Sequence, residues 1–200
     1  MKKIFVLSSN PEKFSGALEH YAERNFTPEF IVTDKHLSFI EGIQKVIKES
    51  DDEDYIIIST SQHRFCPGFS QDHLEKCIEK VKRLDGNLLL GGLLSFEKVI
   101  EVSDHIFWVD GFKGSQFMII FKKTYSLFFQ RNFNTKLPLD VFLSSHLEDV
   151  FVIHPFISQF EDDGNLQSFE NTTDFQYLYD NPEVFLDELS QIKKYYSYEP

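Results

Sequence analysis

The run Asp54-Tyr55-Ile56-Ile57-Ile58-Ser59-Thr60-Ser61-Gln62-His63-Arg64-Phe65 decides how the chain is read. Three isoleucines behind a tyrosine are apolar on both faces, which is how a strand reads when layers cover it on both sides. The run then turns polar, so the strand is expected to deliver Thr60, Ser61 and Gln62 to the edge of a sheet. None of the three carries a charge. The preceding Asp51-Asp52-Glu53-Asp54 has neither the glycine nor the alternation of a calcium loop and reads as a solvated connection.

Working outward, the first half alternates strand-like and helix-like periods, which points to βαβ units and a mainly parallel sheet. Ile4 to Leu7 is a buried-type strand. Asn10 and Pro11 supply a helix cap and a first-turn proline before a stripe of Phe14, Leu18 and Tyr21. Phe30 to Thr33 is a short strand. Ser38 and Glu41 have capping-box spacing ahead of a helix whose stripe is Leu37, Ile40, Ile43 and Ile47. Ser70 caps a helix with Leu74, Cys77, Ile78, Val81 and Leu84 on one face, and Gly86 is placed to close it. Leu88 to Leu90 is a further strand, ended by Gly91-Gly92. Beyond it, Val99 to Val109 and Gln116 to Lys122 read as strands, Thr124 to Gln130 and Asp140 to Leu147 as short helices, and Val150 to Ile153 and Phe156 to Ile157 as late strands. Val184 to Tyr195 reads as a terminal helix.

Two hundred residues, 42% of them hydrophobic, suffice for one sizeable core. The expected organisation is an α/β domain over residues 1–160 with an extension, residues 161–200, packed on it. A formal net charge of −12, from 20 basic and 32 acidic residues, argues against nucleic acid as a partner, because counterion release needs clustered Lys and Arg. Cys66 and Cys77 show no metal or disulfide spacing, and Cys77 reads as a core residue. The N-terminal apolar run is too short for a signal peptide, and no segment approaches the ~18 apolar residues of a membrane span. A cytoplasmic location is expected, with peripheral membrane contact left open.

Three segments together resemble the GT-A glycosyltransferases, particularly the lipopolysaccharide-type enzymes of family 25 and related bacterial proteins. They are the strand Tyr55 to Ile58, the stretch from Phe107-Trp108-Val109-Asp110-Gly111 to Lys123, and Leu137-Pro138-Leu139-Asp140 followed by Val152-Ile153-His154-Pro155-Phe156-Ile157-Ser158-Gln159. The resemblance implies a GT-A-like, Rossmann-type mixed sheet flanked by helices. It implies a nucleotide-sugar donor and a glycan or lipid-linked glycan acceptor. In such proteins the strand matching Tyr55 to Ile58 ends in an acidic edge that holds Mg²⁺ or Mn²⁺ against the departing diphosphate. Here the matching residues are Thr60, Ser61 and Gln62, and a neutral edge holds a divalent ion poorly.

Within that resemblance the donor side falls on Ser61, Gln62, His63, Arg64 and Trp108. Arg64, with His63, has the charge to replace a metal at the diphosphate; the alternative is a polar loop with a solvated arginine. Asp140 is the first choice for the base that deprotonates the acceptor hydroxyl, and Asp110 the second. Asp140 reads equally as a helix N-cap and Asp110 as a turn residue before Gly111. His154, where some GT-A enzymes place a metal ligand, reads more simply as a structural histidine. Trp108 is the single tryptophan and flanks Asp110, which makes it a candidate platform for a sugar ring or a base. The leading reading is a glycosyltransferase in surface-polysaccharide or lipopolysaccharide assembly. The rival is a binding or regulatory protein that kept the scaffold without the metal site.

Overall fold

The structure is a computed structural model that describes residues 1–14, 17–33, 39–130, 138–160 and 181–197. The sheet begins with β1 (Lys2–Ser8), whose Ile4 to Leu7 are buried as their continuous apolar pattern requires. A short 3-10 turn (Pro11–Phe14) leads to α1 (Ala17–Ala22), which returns the chain to β2 (Phe26–Val32). Next come α2 (Phe39–Glu49) and β3 (Tyr55–Thr60), then the three-residue β4 (His63–Phe65) and α3 (Gln71–Arg83). β5 (Leu88–Leu90) precedes a hairpin of β6 (Lys98–Ser103) and β7 (Ile106–Asp110), and β8 (Phe117–Phe121) runs into a 3-10 segment over Lys122–Phe129. The chain finishes with α4 (Leu139–His146), β9 (Val150–Ile153), β10 (Ser158–Phe160) and α5 (Pro182–Ser197).

The described strands form an eight-stranded sheet in the order β2-β1-β3-β8-β5-β9-β7-β6, with β4 and β10 paired as a separate ribbon. β1 runs parallel to both β2 and β3, and β5 runs parallel to β9. β8 and β7 run the other way between and beside them. The sheet is therefore mixed, a Rossmann-type α/β architecture flanked by helices, as the sequence led us to expect.

Two cores cover the two faces. Ile40, Ile43, Val46 and Ile47 of α2 pack with Phe5, Leu7, Ile56 and Ile58, and Phe142 and Leu143 of α4 and Leu186 of α5 extend the same cluster. On the other face Tyr21 of α1 and Leu74, Cys77, Ile78 and Val81 of α3 pack with Ile4, Val6 and Ile57. Alternate residues of β1 and β3 thus feed opposite cores, as the period of two demands. Each fully buried aliphatic side chain adds roughly 1.5–3 kcal/mol, so these helices are held by their stripes rather than by propensity.

Several local expectations change on contact with the fold. Val99 to Val109 is not one strand but the β6–β7 hairpin, turned at Asp104 and His105, with His105 at a left-handed φ of 67°. Leu18 lies outside the α1 stripe and is exposed. Ser70 does cap α3, accepting from His73 N at 3.3 Å. The left-handed residue that closes this helix is Asp85, φ 54°, one position before Gly86. The late strand falls on Ser158–Phe160 rather than Phe156 to Ile157. Leu37 and Ser38 lie outside the described residues. No helix among the described residues is long and apolar enough to cross a membrane.

Candidate functional site

The order β2-β1-β3 places a topological switch point at β1, since the chain leaves toward β2 and returns across β1 to β3. Open α/β sheets bind ligands in the crevice outside the carboxyl ends of the strands at such a point. Here those ends are Ser8 on β1 and Thr60 on β3, with Ser61 in the turn just beyond it. Ser61 N donates to Leu7 O at 3.1 Å, and Ser61 Oγ donates to Ser8 Oγ at 2.9 Å. Ser8 Oγ donates to Asn10 O at 3.0 Å and accepts from Asn10 N at 3.1 Å, which closes the loop after β1. The switch point is thus built from hydroxyls and backbone amides.

Thr60 continues the β3–β8 ladder one step past Ser59↔Phe117, donating its N–H to Gln116 O at 2.9 Å. By alternation Thr60 and Gln116 lie on the face of Ile58 and Met118, the face that α2 and α4 cover. Their side-chain oxygens, Thr60 Oγ1 and Gln116 Oε1, are both buried and lack a hydrogen-bond partner. A buried polar group left so costs about 1–3 kcal/mol, so a ligand that supplies the missing partners regains that energy at this spot. Gly114, at φ 98°, brings the approaching loop down onto Leu94 and Gln116; a Cβ there would stand 2.9 Å from Leu94 N and 3.2 Å from Gln116 Oε1.

Asp140 joins this group through Gly114. Its Oδ2 accepts from Gly114 N at 3.1 Å and its Oδ1 from Val141 N at 2.9 Å. The cap of α4 is Pro138, so Asp140 is not an N-cap but sits in the first turn, where the amide dipoles favour its charge. Chain contacts therefore run from Ser8 through Ser61 and Thr60 to Gln116, Gly114 and Asp140.

His63 does not face this edge. It is wholly buried, with Nδ1 3.1 Å from Tyr21 Oη, and Tyr21 Oη lies 2.6 Å from Ser59 Oγ. Burial above all, then His20, Arg64 and Arg24, hold the His63 imidazole well below its ordinary range, so it is neutral. A neutral interior ring cannot serve a diphosphate as a cation. Its role is to brace β4 against α1 and Phe117. Burial together with Arg24 and Arg64 likewise lowers His20 to about 4. Arg64, on the opposite side of β4, is half-buried and donates from Nη1 to His63 O at 2.8 Å.

Trp108 and Asp110 belong to a different edge. Following paired residues across the sheet, Trp108 is level with Phe151, Leu89, Ile119 and Ile57, and Asp110 lies two residues farther from the carboxyl ends. At ~3.3 Å per residue and ~4.8 Å between strands, Asp110 stands about 20 Å along and about 19 Å across from Ser61. Strand β7 runs opposite to β9, which sends these residues downward. Asp110 Oδ2 accepts from Lys98 Nζ at 2.7 Å, and that bond keeps its carboxyl below the usual range. His154, at the end of β9, lies 3.1 Å from Asp187 Oδ1 of α5 and not beside Thr60.

The side chains at the β3 edge do not fit a divalent metal: Thr60, Ser61 and Gln62 offer neutral oxygens, whereas such ions take carboxylates. Among the described residues, no three His, Cys, Asp or Glu groups converge as ligands would. Gln116 and Ser8 escaped the sequence reading. Gln116 precedes an apolar strand as Thr60 follows one, but only the antiparallel register brings the two together.

No family model matches the chain, and no curated protein matches it. Among solved structures it is similar to A197 from STIV, with a TM-score of 0.51 and 12% identity over 76% of this chain and 82% of that one. It is also similar to mannose-1-phosphate geranyltransferase from Thermus thermophilus, at TM-score 0.49 and 9% identity over 79% and 75% of the two chains. The inositol-1-phosphate CTP transferase from T. maritima aligns at TM-score 0.47 and 13% identity over 84% and 92%. At 12% identity the likeness to A197 is one of fold.

Proposed function

We propose that the chain is a glycosyltransferase-like protein that holds a nucleotide sugar in the crevice at the β1 and β3 ends and passes the sugar to a hydroxyl of a glycan or lipopolysaccharide acceptor. The observation that carries this reading is the pair of buried, partnerless oxygens, Thr60 Oγ1 and Gln116 Oε1, on the β3–β8 seam one strand from the switch point. Residues 1–160 form the transferring unit, residues 161–200 an extension on it, and the protein works in the cytoplasm.

Transfer breaks the bond between the anomeric carbon and the diphosphate oxygen, forms one to the acceptor oxygen, and releases a proton from the acceptor hydroxyl. Asp140 takes that proton. Both of its oxygens already accept an amide hydrogen, yet a carboxylate has about four lone-pair sites, so it stays competent and gains a fixed orientation. Ser61, Gln62 and the guanidinium of Arg64 meet the departing diphosphate with hydrogen bonds and one charge.

Calorimetry with UDP-, GDP- and CMP-sugars, with and without Mn²⁺, tests the reading. We expect heat from at least one donor at a strength that Mn²⁺ leaves unchanged. The absence of heat from every donor would overturn it. A second reading, binding without turnover, draws on the clamp that Asp140 makes on Gly114, which is a structural job in itself. Asp140→Asn decides between them: roughly a hundredfold or greater loss of kcat at unchanged donor affinity supports catalysis. A wild type that binds a donor but turns over none supports the second.

A further inference from the structure

A hollow of about 560 Å³ lies at the amino-end edge of the sheet, remote from the crevice, lined by Trp108, Asp110, Ser144, His146, Glu148 and Asp149 among others. Trp108 is half-buried, and its indole N–H donates to Glu148 O at 2.7 Å. Its single polar atom is thus satisfied and the ring is fixed, so the surface it offers is flat and apolar.

The wall around that ring selects the ligand. Among the described residues no Lys or Arg lines the hollow, which disfavours a phosphate or other anion. Two of the three carboxylates are already attended by cations from outside: Asp110 by Lys98 at 2.7 Å and Asp149 by Lys123 at 3.6 Å. Lys123 is shared with Asp85 at 3.0 Å, so the local field is compensated in part, which weakens its pull on a free cation. Those carboxylates keep unused lone pairs, and Ser144 adds a hydroxyl. A ligand that fits is neutral, rich in hydroxyl donors, and apolar on one face.

We propose that this hollow is a second binding site, for a neutral saccharide stacked on Trp108 with its hydroxyls donating to Glu148, Asp149 and Asp110. It does not depend on the nucleotide-sugar reading of the distant crevice. A protein with this site and a silent crevice would still hold a sugar.

Trp108 is the only tryptophan, so emission excited at the red edge, where the eight tyrosines do not absorb, reports on this site alone. The whole chain is titrated with glucose, galactose, mannose and N-acetylglucosamine, and separately with spermidine and choline. We expect a saturable change in emission with at least one neutral sugar, the same at low and high salt because no net charge is being screened. Glu148→Ala leaves the carbonyl that holds the indole in place, and should weaken binding about threefold or more. By saturation-transfer NMR, Trp108→Phe should retain binding and Trp108→Ala should lose it. Should Trp108→Ala fail to fold, the Glu148 variant still decides. A nucleotide sugar should not compete, and Gln116→Leu should leave the titration unchanged. Failure of every neutral sugar to alter emission, affinity identical in Glu148→Ala, or saturation by the cations alone would each overturn the proposal.

Discussion

The two edges of the sheet solve opposite problems. At the carboxyl ends, Ser8, Thr60, Ser61 and Gln116 crowd neutral polar groups into a buried space and leave two oxygens without partners. At the amino ends, Asp110 with Lys98, Asp54 with Lys82, and Lys123 with Asp85 and Asp149 pair their charges in the open. Exposed pairs of this kind add little, about 0–1 kcal/mol each, whereas an unpaired buried oxygen costs about 1–3 kcal/mol. Thr60 Oγ1 and Gln116 Oε1 therefore carry a cost that the exposed ion pairs of the other edge do not.

The comparison breaks most visibly at Gly92. A Cβ there would meet the carbonyl oxygen of Ser158, a backbone atom that cannot swing aside. Gly92→Val is therefore expected to cost about 3 kcal/mol by urea unfolding, near the upper end for forced overpacking. A tolerated valine would mean that the carboxyl-end edge is looser than described.

Gln116→Leu comes next in size. It removes the partnerless Oε1 while keeping much of the side chain's bulk, so folding stability should hold or rise and affinity for the donor should fall about tenfold, ~1.4 kcal/mol. Loss of stability without loss of affinity would assign Gln116 to structure alone.

Acid acts on neither edge but on the histidines packed between β4 and α1. The His63 imidazole is held far below its ordinary value chiefly by burial, and His20 is lowered from 6.5 to about 4. Between those two values the unfolded chain binds protons that the folded chain does not, so stability falls as pH drops from about 6.5 toward 4 and is flat just above. Urea midpoints at about pH 7 and about pH 5 should show this loss, and His63→Phe should reduce it. Equal losses in the two proteins would mean that His63 titrates normally.

Much of this architecture was legible because long-range layers leave local periods. The stripe Ile40, Ile43, Ile47 and the run Ile56 to Ile58 each have one reading once burial on one or two faces is considered. The three residues of β4 are too few to carry a period, and the β6–β7 turn lacks glycine, proline and asparagine, relying on His105 in a left-handed conformation. Of the candidate residues, Ser61 and Asp140 fall into one connected group because each ends or begins an element at the carboxyl edge. Trp108 and Asp110 do not join them, since the direction of β7 is set by pairing with β9 and no residue within β7 announces it. His63 looked like part of the polar edge by position alone; alternation along β4 turns it inward beside Tyr21.

The smallest expected effect belongs to the open edge. Asp110→Asn breaks the ion pair with Lys98, and a surface pair of this exposure should cost no more than about 0.5 kcal/mol. It should leave donor affinity untouched. A marked loss of donor binding would bring Asp110 back into the transfer site as the second candidate base.

Backbone amide and indole NMR shifts, followed while a nucleotide sugar is added without metal, address the carboxyl-end crevice most directly. We expect movement at Ser8, Ser9 and Asn10, at Thr60 to Gln62, and at Gly114 to Gln116, with the single Trp108 indole resonance still. Movement centred on Trp108, or none at the ends of β1 and β3, would contradict a nucleotide site at the switch point.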